Sequence, residues 1–198
     1  MIGLYLTHPQ VEIDPAVPVP EWGLSAVGRR RVEAVCGAAW VRGLARIVSS
    51  EERKAVETAA ILTDASGLAP GTGQDMGEND RSSTGFLAPP EFEKAADSFF
   101  AEPEASWNGW ERAIDAQRRI VGAVERELAA HDPSLPILFV GHGAVGTLLK
   151  CHFAGRPISR REDQPGGGGN IHAFALADRR LLCDWTPMEQ FTGIADVV

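Results

Sequence analysis

The stretch Pro136-Ile137-Leu138-Phe139-Val140-Gly141-His142-Gly143-Ala144-Val145-Gly146-Thr147-Leu148-Leu149 decides the fold. Its opening is a short apolar run without charge, which reads as a strand buried on both faces. Small residues then make a turn, and Val145, Leu148 and Leu149 return at helical spacing. His142 stands at that turn, where the end of the strand meets the start of a helix. In an open α/β sheet, ligands bind at such a crest. The free N–H groups of the new helix favour an anion there.

The rest of the chain alternates in the same way. Ile2–Leu6 is apolar and β-prone, and it delivers Thr7-His8-Pro9-Gln10 at its exit. Val11–Trp22 carries Pro15, Pro18 and Pro20 and reads as a loop. Ser25 suits an N-cap for a helix of about 17 residues reaching Val41, with Val32, Val35, Cys36 and Ala39 inward. Ala45–Val48 reads as a strand ending in Ser49-Ser50, followed by a helix from Glu52 to Ser66 that Gly67 stops. Gly71–Gly85 is a polar, glycine-rich loop. Phe86–Trp107 is punctuated by prolines around a short helix at Glu91–Ala101.

Trp110–His131 is the clearest helix, with Ile114, Gln117, Val121, Val124 and Leu128 spaced by three or four. Pro165–Asn170 is a glycine-run connector, and Ile171–Leu176 with Leu181–Trp185 forms a closing hairpin. Strands alternating with helices give an α/β class, a three-layer α/β/α sandwich around a mostly parallel sheet. Residues 1–198 are expected to form one domain, with an insertion or cap at about 71–109.

The bulk numbers narrow the function. The 198 residues are 44% hydrophobic and 23% charged, ordinary for a soluble globular protein. A net charge of −8 argues against nucleic-acid and anionic-membrane partners, which need a basic surface. Cys36, Cys151 and Cys183 lack CxxC spacing and read as reduced thiols. Met1–Leu6 has neither the basic region nor the length of a signal peptide. The expected address is the cytoplasm; oligomeric state is not readable.

His8 and His142 both lie at strand exits, and adjacent central strands bring such exits together. With them the chain resembles the histidine phosphatase superfamily, which includes the phosphoglycerate mutases. Leu4-Tyr5-Leu6-Thr7-His8 is similar to the family's first strand and histidine, and Leu24–Gly28 to its helix start after a proline-rich loop. Ser49-Ser50-Glu51-Glu52-Arg53-Lys54-Ala55-Val56-Glu57-Thr58-Ala59 resembles its segment of two serines, a basic residue before alanine, and Thr-Ala. Val140-Gly141-His142-Gly143 is similar to its second histidine motif, and Glu78 falls where the family carries a proton donor. The resemblance spans residues 1 to about 176; each piece is short, so its specificity comes from their order.

The departures concern the phosphate clamp. Thr7-His8-Pro9 stands where the family has Arg-His-Gly, and Lys54 stands where it has arginine. Arginine offers a planar fork, lysine only a compact charge. Pro9 removes a backbone N–H and biases His8 towards extended geometry.

The resemblance implies a phosphoglycerate mutase-like fold and a phosphomonoester hydrolase acting on a small phosphorylated metabolite through a phosphohistidine. His8, Glu78 and His142 would be its catalytic residues. Neutral His8 attacks phosphorus; His142, helped by the helix N-terminus behind Gly143, stabilises charge on the equatorial oxygens. Glu78 protonates the leaving oxygen and then activates water, a role that needs a raised pKa. Thr7, Gln10, Arg53, Lys54, Arg81 and Gly143 make up the expected phosphate-binding set, with Arg81 replacing a lost arginine. No metal and no cofactor is expected.

Other readings compete. A catalytically impaired relative would bind an anionic ligand or a partner without turnover; Thr7 and Pro9 favour it, while keeping His8, Glu78 and His142 opposes it. A mutase would bind a second anionic group, yet the insertion carries Glu91, Glu93, Asp97, Glu102 and Glu104. Gly141–Gly146 also spells G-x-G-x-x-G, with Asp163 about twenty residues on. Arg156–Arg161 is too charged for the buried strand that a dinucleotide fold needs there. Zinc-hydrolase spacing is missing. Arg53 and Lys54 could be a solvated helix face, Arg160–Asp163 a surface cluster, and Gly166–Gly169 a linker, a lid or a close-approach loop. His152 and His172 read as packing residues.

Overall fold

The computed structural model describes residues 1–194. Four strands run parallel at the centre and one edge of a six-stranded sheet: β1 (Ile2–Thr7), β2 (Arg46–Ser49), β3 (Pro70–Thr72) and β4 (Ile137–Gly141). The hairpin β5 (Asn170–Ala175) and β6 (Leu181–Pro187) completes it antiparallel, in the order β3-β2-β4-β1-β5-β6. Side chains alternate across the central strands, as strand geometry demands. Tyr5, Ile137 and Phe139 bury on one face; Leu4, Leu6, Leu138 and Val140 bury on the other. That double burial is why the 137–140 run contains no polar residue.

Helices cover both faces. The first core packs α4 (Pro89–Ala101), α5 (Ala113–Ala129) and α6 (Gly143–Phe153) against the sheet, through Phe99, Ile120, Val124 and Leu148. The second uses α1 (Ala26–Val35), α2 (Ala39–Arg42) and α3 (Arg53–Ser66), through Val32, Val41, Ala59 and Leu62. The result is an α/β/α sandwich around a mostly parallel sheet.

Details differ from the expectation. The single helix to Val41 is broken, because α1 ends at Val35 and Ala38 is extended before α2 starts. Gly37 lies at the break, and the turn lets Trp40 reach Phe191 at 5.9 Å between rings. Ser25 does cap α1, accepting the Gly28 N–H at 3.1 Å. A short edge strand, β3, falls partly in the segment read as loop. The prolines before Glu91 open α4 rather than precede it, since a first-turn proline loses no helical hydrogen bond.

The G-x-G-x-x-G spelling has a packing cause. A Cβ on Gly141 would lie 2.2 Å from the Tyr5 hydroxyl, and one on Gly146 would lie 2.4 Å from the Tyr5 ring. Tyr5 fills that space and holds the turn, accepting the His142 N–H at 3.1 Å and donating to the His142 carbonyl at 3.3 Å.

Candidate active site

Adjacent β1 and β4 place their exits side by side, and the His8 N–H donates to the Gly141 carbonyl at 2.9 Å. The His8 and His142 rings meet edge to face with centroids 5.2 Å apart. The His8 Nδ1 lies 2.9 Å from the Pro9 carbonyl, which can only accept, so Nδ1 carries the proton and Nε2 a lone pair. Burial, seconded by the Lys54 and Arg81 charges, outweighs that bond and pulls His8 down to about 4. The imidazole is therefore neutral at pH 7.

His142 is fully buried beneath it. Its Nε2 lies 2.6 Å from the Ser50 hydroxyl and 3.4 Å from Glu52 Oε1. Burial pulls it down to about 3, with the neighbouring Glu52 charge opposing. Glu52 is the carboxylate that sequence reading missed. It accepts the Glu78 N–H at 2.7 Å and pairs with Lys54, whose ammonium also donates to the Val19 carbonyl at 2.8 Å. Burial raises its carboxyl, but His142, Lys54 and the Glu78 N–H outweigh this and hold it at about 2. An acid at a helix start ordinarily caps that helix; Glu52 makes no such cap and turns to its neighbours instead.

Glu78 lines a cavity of about 430 Å³ together with His8, Lys54, Arg81 and Gly143. Its two oxygens accept the N–H groups of Asn79, Ala144 and Val145 at 3.1–3.2 Å. The α6 N-terminus expected to face an anion is thus held in part by Glu78, leaving Gly143 at the cavity wall. Arg119 fixes the loop that carries Glu78, donating to the carbonyls of Asp75, Gly77 and Glu78 at 2.8–3.1 Å.

The remaining expected residues do not all converge. The Thr7 hydroxyl is buried between Gln164 Oε1 at 2.7 Å and the Asn170 N–H at 3.0 Å, so its hydrogen bonds serve the β5 entry. Gln10 accepts from Arg31 at 3.0 Å and lies outside the cavity lining. Arg53 is exposed and pairs with Glu57 at 2.8 Å, away from His8. Arg81 does face the cavity, its guanidinium 5.2 Å above Phe92 and 5.6 Å above Trp110. The glycine run is a close-approach loop: Gly169 donates to the Thr7 and His8 carbonyls, and a Cβ on Gly168 would lie 2.3 Å from the His8 oxygen. Arg160 and Asp163 also line the cavity and pair at 3.2 Å.

The model of the histidine phosphatase superfamily (branch 1) matches residues 16–183. The chain belongs to that superfamily. The match begins after Thr7-His8-Pro9 and takes in Lys54, Glu78 and His142. Among curated proteins no sequence match reaches significance. Solved structures share the superfamily's fold. A mycobacterial glucosyl-3-phosphoglycerate phosphatase complexed with inorganic phosphate is 20% identical, with TM-score 0.77, covering 96% of this chain and 99% of its own. Bacillus stearothermophilus YhfR is 20% identical, with TM-score 0.76, covering 94% and 98%.

The Lys54–Glu52 pair yields a stability test. Lys54→Ala leaves a buried carboxylate without its cation and is expected to cost about 3–5 kcal/mol in urea unfolding. Glu52→Gln combined with Lys54→Met should recover most of it. A loss below about 1 kcal/mol would mean that the pair behaves as an exposed one.

Proposed function

We propose that this superfamily member is a phosphomonoester hydrolase with His8 as nucleophile. The observation that carries the reading is the bare Nε2 of a neutral His8 at the cavity, fixed by the Nδ1–Pro9 hydrogen bond. His8 Nε2 attacks phosphorus, the ester P–O bond breaks, and the leaving oxygen takes a proton carried on Glu78 Oε2, the oxygen that accepts a single N–H. Water then attacks the phosphohistidine, its proton passes to Glu78, and the P–N bond breaks to release phosphate. His142, whose ring meets that of His8, would stabilise the negative charge on the equatorial oxygens of the transferring phosphoryl group. No step needs a metal. The segment at about 71–109, which contributes Arg81, Phe86 and Phe92 to the cavity, acts as its cap.

An alkaline quench during turnover, followed by peptide mapping, should find phosphate on His8. Turnover with the label elsewhere would overturn the nucleophile. No turnover of any phosphomonoester would leave the second reading, an anion-binding relative, which the neutralising Glu52–Lys54 pair favours.

Among the described residues Arg81 has no carboxylate partner, which suits it to the missing clamp charge. Arg81→Ala is expected to weaken inorganic phosphate binding about tenfold by calorimetry, the size of one charged hydrogen bond. Unchanged affinity would remove Arg81 from the clamp.

A further inference from the structure

Resting on that reading of the site, we infer that the substrate is a monophosphate ester of an apolar alcohol of aromatic size, without a second anionic group. Three features of the cavity meet in this assignment.

The first is its wall. Beyond His8 the cavity is lined by Trp22, Phe86, Leu87, Phe92, Phe100 and Trp110. Trp22 comes from the loop after β1 and Phe86 from the loop before α4, and their rings meet at 5.7 Å. Two separate segments thus join in one apolar wall of a cavity large enough for a small ligand. A sugar or glycerol phosphate would set its hydroxyls against rings that offer few hydrogen bonds.

The second is charge. The cavity wall carries three cations, Lys54, Arg81 and Arg160, and three carboxylates, Glu78, Glu93 and Asp163. Lys54 is paired with Glu52, and Arg160 with Glu93 at 2.6 Å and Asp163 at 3.2 Å. Arg81 is left for the phosphate. A carboxylate or second phosphate at Arg160 would have to compete with Glu93 and Asp163 for Nη2 and Nε, which leaves only the buried Nη1 without a hydrogen-bond partner among the described residues. This disfavours phosphoglycerates and with them the mutase reading.

The third is an unmet polar group. Asn79 is 4% exposed and lines the cavity, and its side-chain Nδ2 has no hydrogen-bond partner among the described residues. A buried amide donor without a partner is unfavourable until an acceptor arrives. Its sequence neighbours Glu78 and Arg81 line the same cavity, and we assign the missing acceptor to a phosphate oxygen bound beside them.

Non-hydrolysable probes test the class independently of turnover. In calorimetry, 1-naphthylmethylphosphonate should bind about a hundredfold tighter than methylphosphonate, from ring burial alone. Phosphonoacetate, with its second anion, should gain nothing over methylphosphonate. Phe86→Ala, at a side chain already exposed, should weaken the naphthyl probe several-fold more than methylphosphonate. Naphthyl and methyl probes binding within about threefold of each other, or phosphonoacetate binding tightest, would overturn the assignment. A parallel assay with 1-naphthyl phosphate separates the two readings. Naphthyl preference without turnover keeps the ligand class and sinks hydrolysis; turnover without preference sinks the class and keeps hydrolysis.

Discussion

Replacing His8 with alanine should abolish phosphomonoester turnover, by about 10⁴-fold or more, because among the described residues no other histidine lines the cavity. The loss should fall on kcat: Lys54, Arg81 and Asn79 remain, so phosphate affinity should change by no more than a few-fold. Residual turnover at a tenth of wild type would mean that His8 is not the nucleophile. The pH profile carries a second signature. An exposed histidine nucleophile loses activity as pH falls through about 6.5. His8 is held down at about 4, so the unprotonated ring persists and kcat/KM should stay level from pH 8 to about 5.5. An acid limb centred near 6.5 would show that His8 is far more hydrated than its surroundings imply.

Much of this site could be read before the fold was known, for a physical reason. A charge-free strand and a small-residue turn leave few alternatives, so Ile137–Gly141 and the His142 crest followed from local pattern, as did the pairing of its exit with that of β1. The misreadings share a different cause. Arg53 and Lys54 are adjacent basic residues at one helix start, and only the rotation of α3 sends Arg53 outward to Glu57 and Lys54 inward to Glu52. Thr7 carries a hydroxyl that could serve a phosphate, but strand alternation points it at Gln164 and Asn170. The break after α1 answers to Trp40 packing on Phe191, a contact nearly the length of the chain apart. Glu52 gave no local signal, since Glu51-Glu52-Arg53-Lys54 looks like a solvated charge run. Its importance lies in partners from two other segments, Glu78 and His142.

Acid should unfold this protein well before it titrates the nucleophile. His142 and His172 are fully buried, and burial pulls each from 6.5 to about 3. The sign follows from proton counting. Below pH 6.5 the unfolded chain binds a proton at each ring that the folded chain refuses, so stability falls as pH falls. Above 6.5 both states are neutral and these groups contribute no slope. Between pH 8 and 5 the two rings together should remove about 4 kcal/mol, a large share of an ordinary domain's stability. His8, held at about 4, adds about 2 kcal/mol more over the same range. Glu52, held at about 2, extends the loss below pH 4.5, where the unfolded carboxylate protonates first. Urea unfolding at pH 8, 6.5 and 5 measures this directly. His172 supplies the control: neither ring nitrogen has a hydrogen-bond partner among the described residues, and the ring stacks on Tyr5 at 5.3 Å and meets Trp185 at 4.7 Å. His172→Phe keeps an aromatic ring there, so it should cut the acid slope by about a third while leaving turnover at pH 7 intact. If the slope were unchanged, the protons would be going elsewhere. If it falls by that third, the acid limit of activity is set by unfolding, and the level profile expected of His8 ends where the fold does.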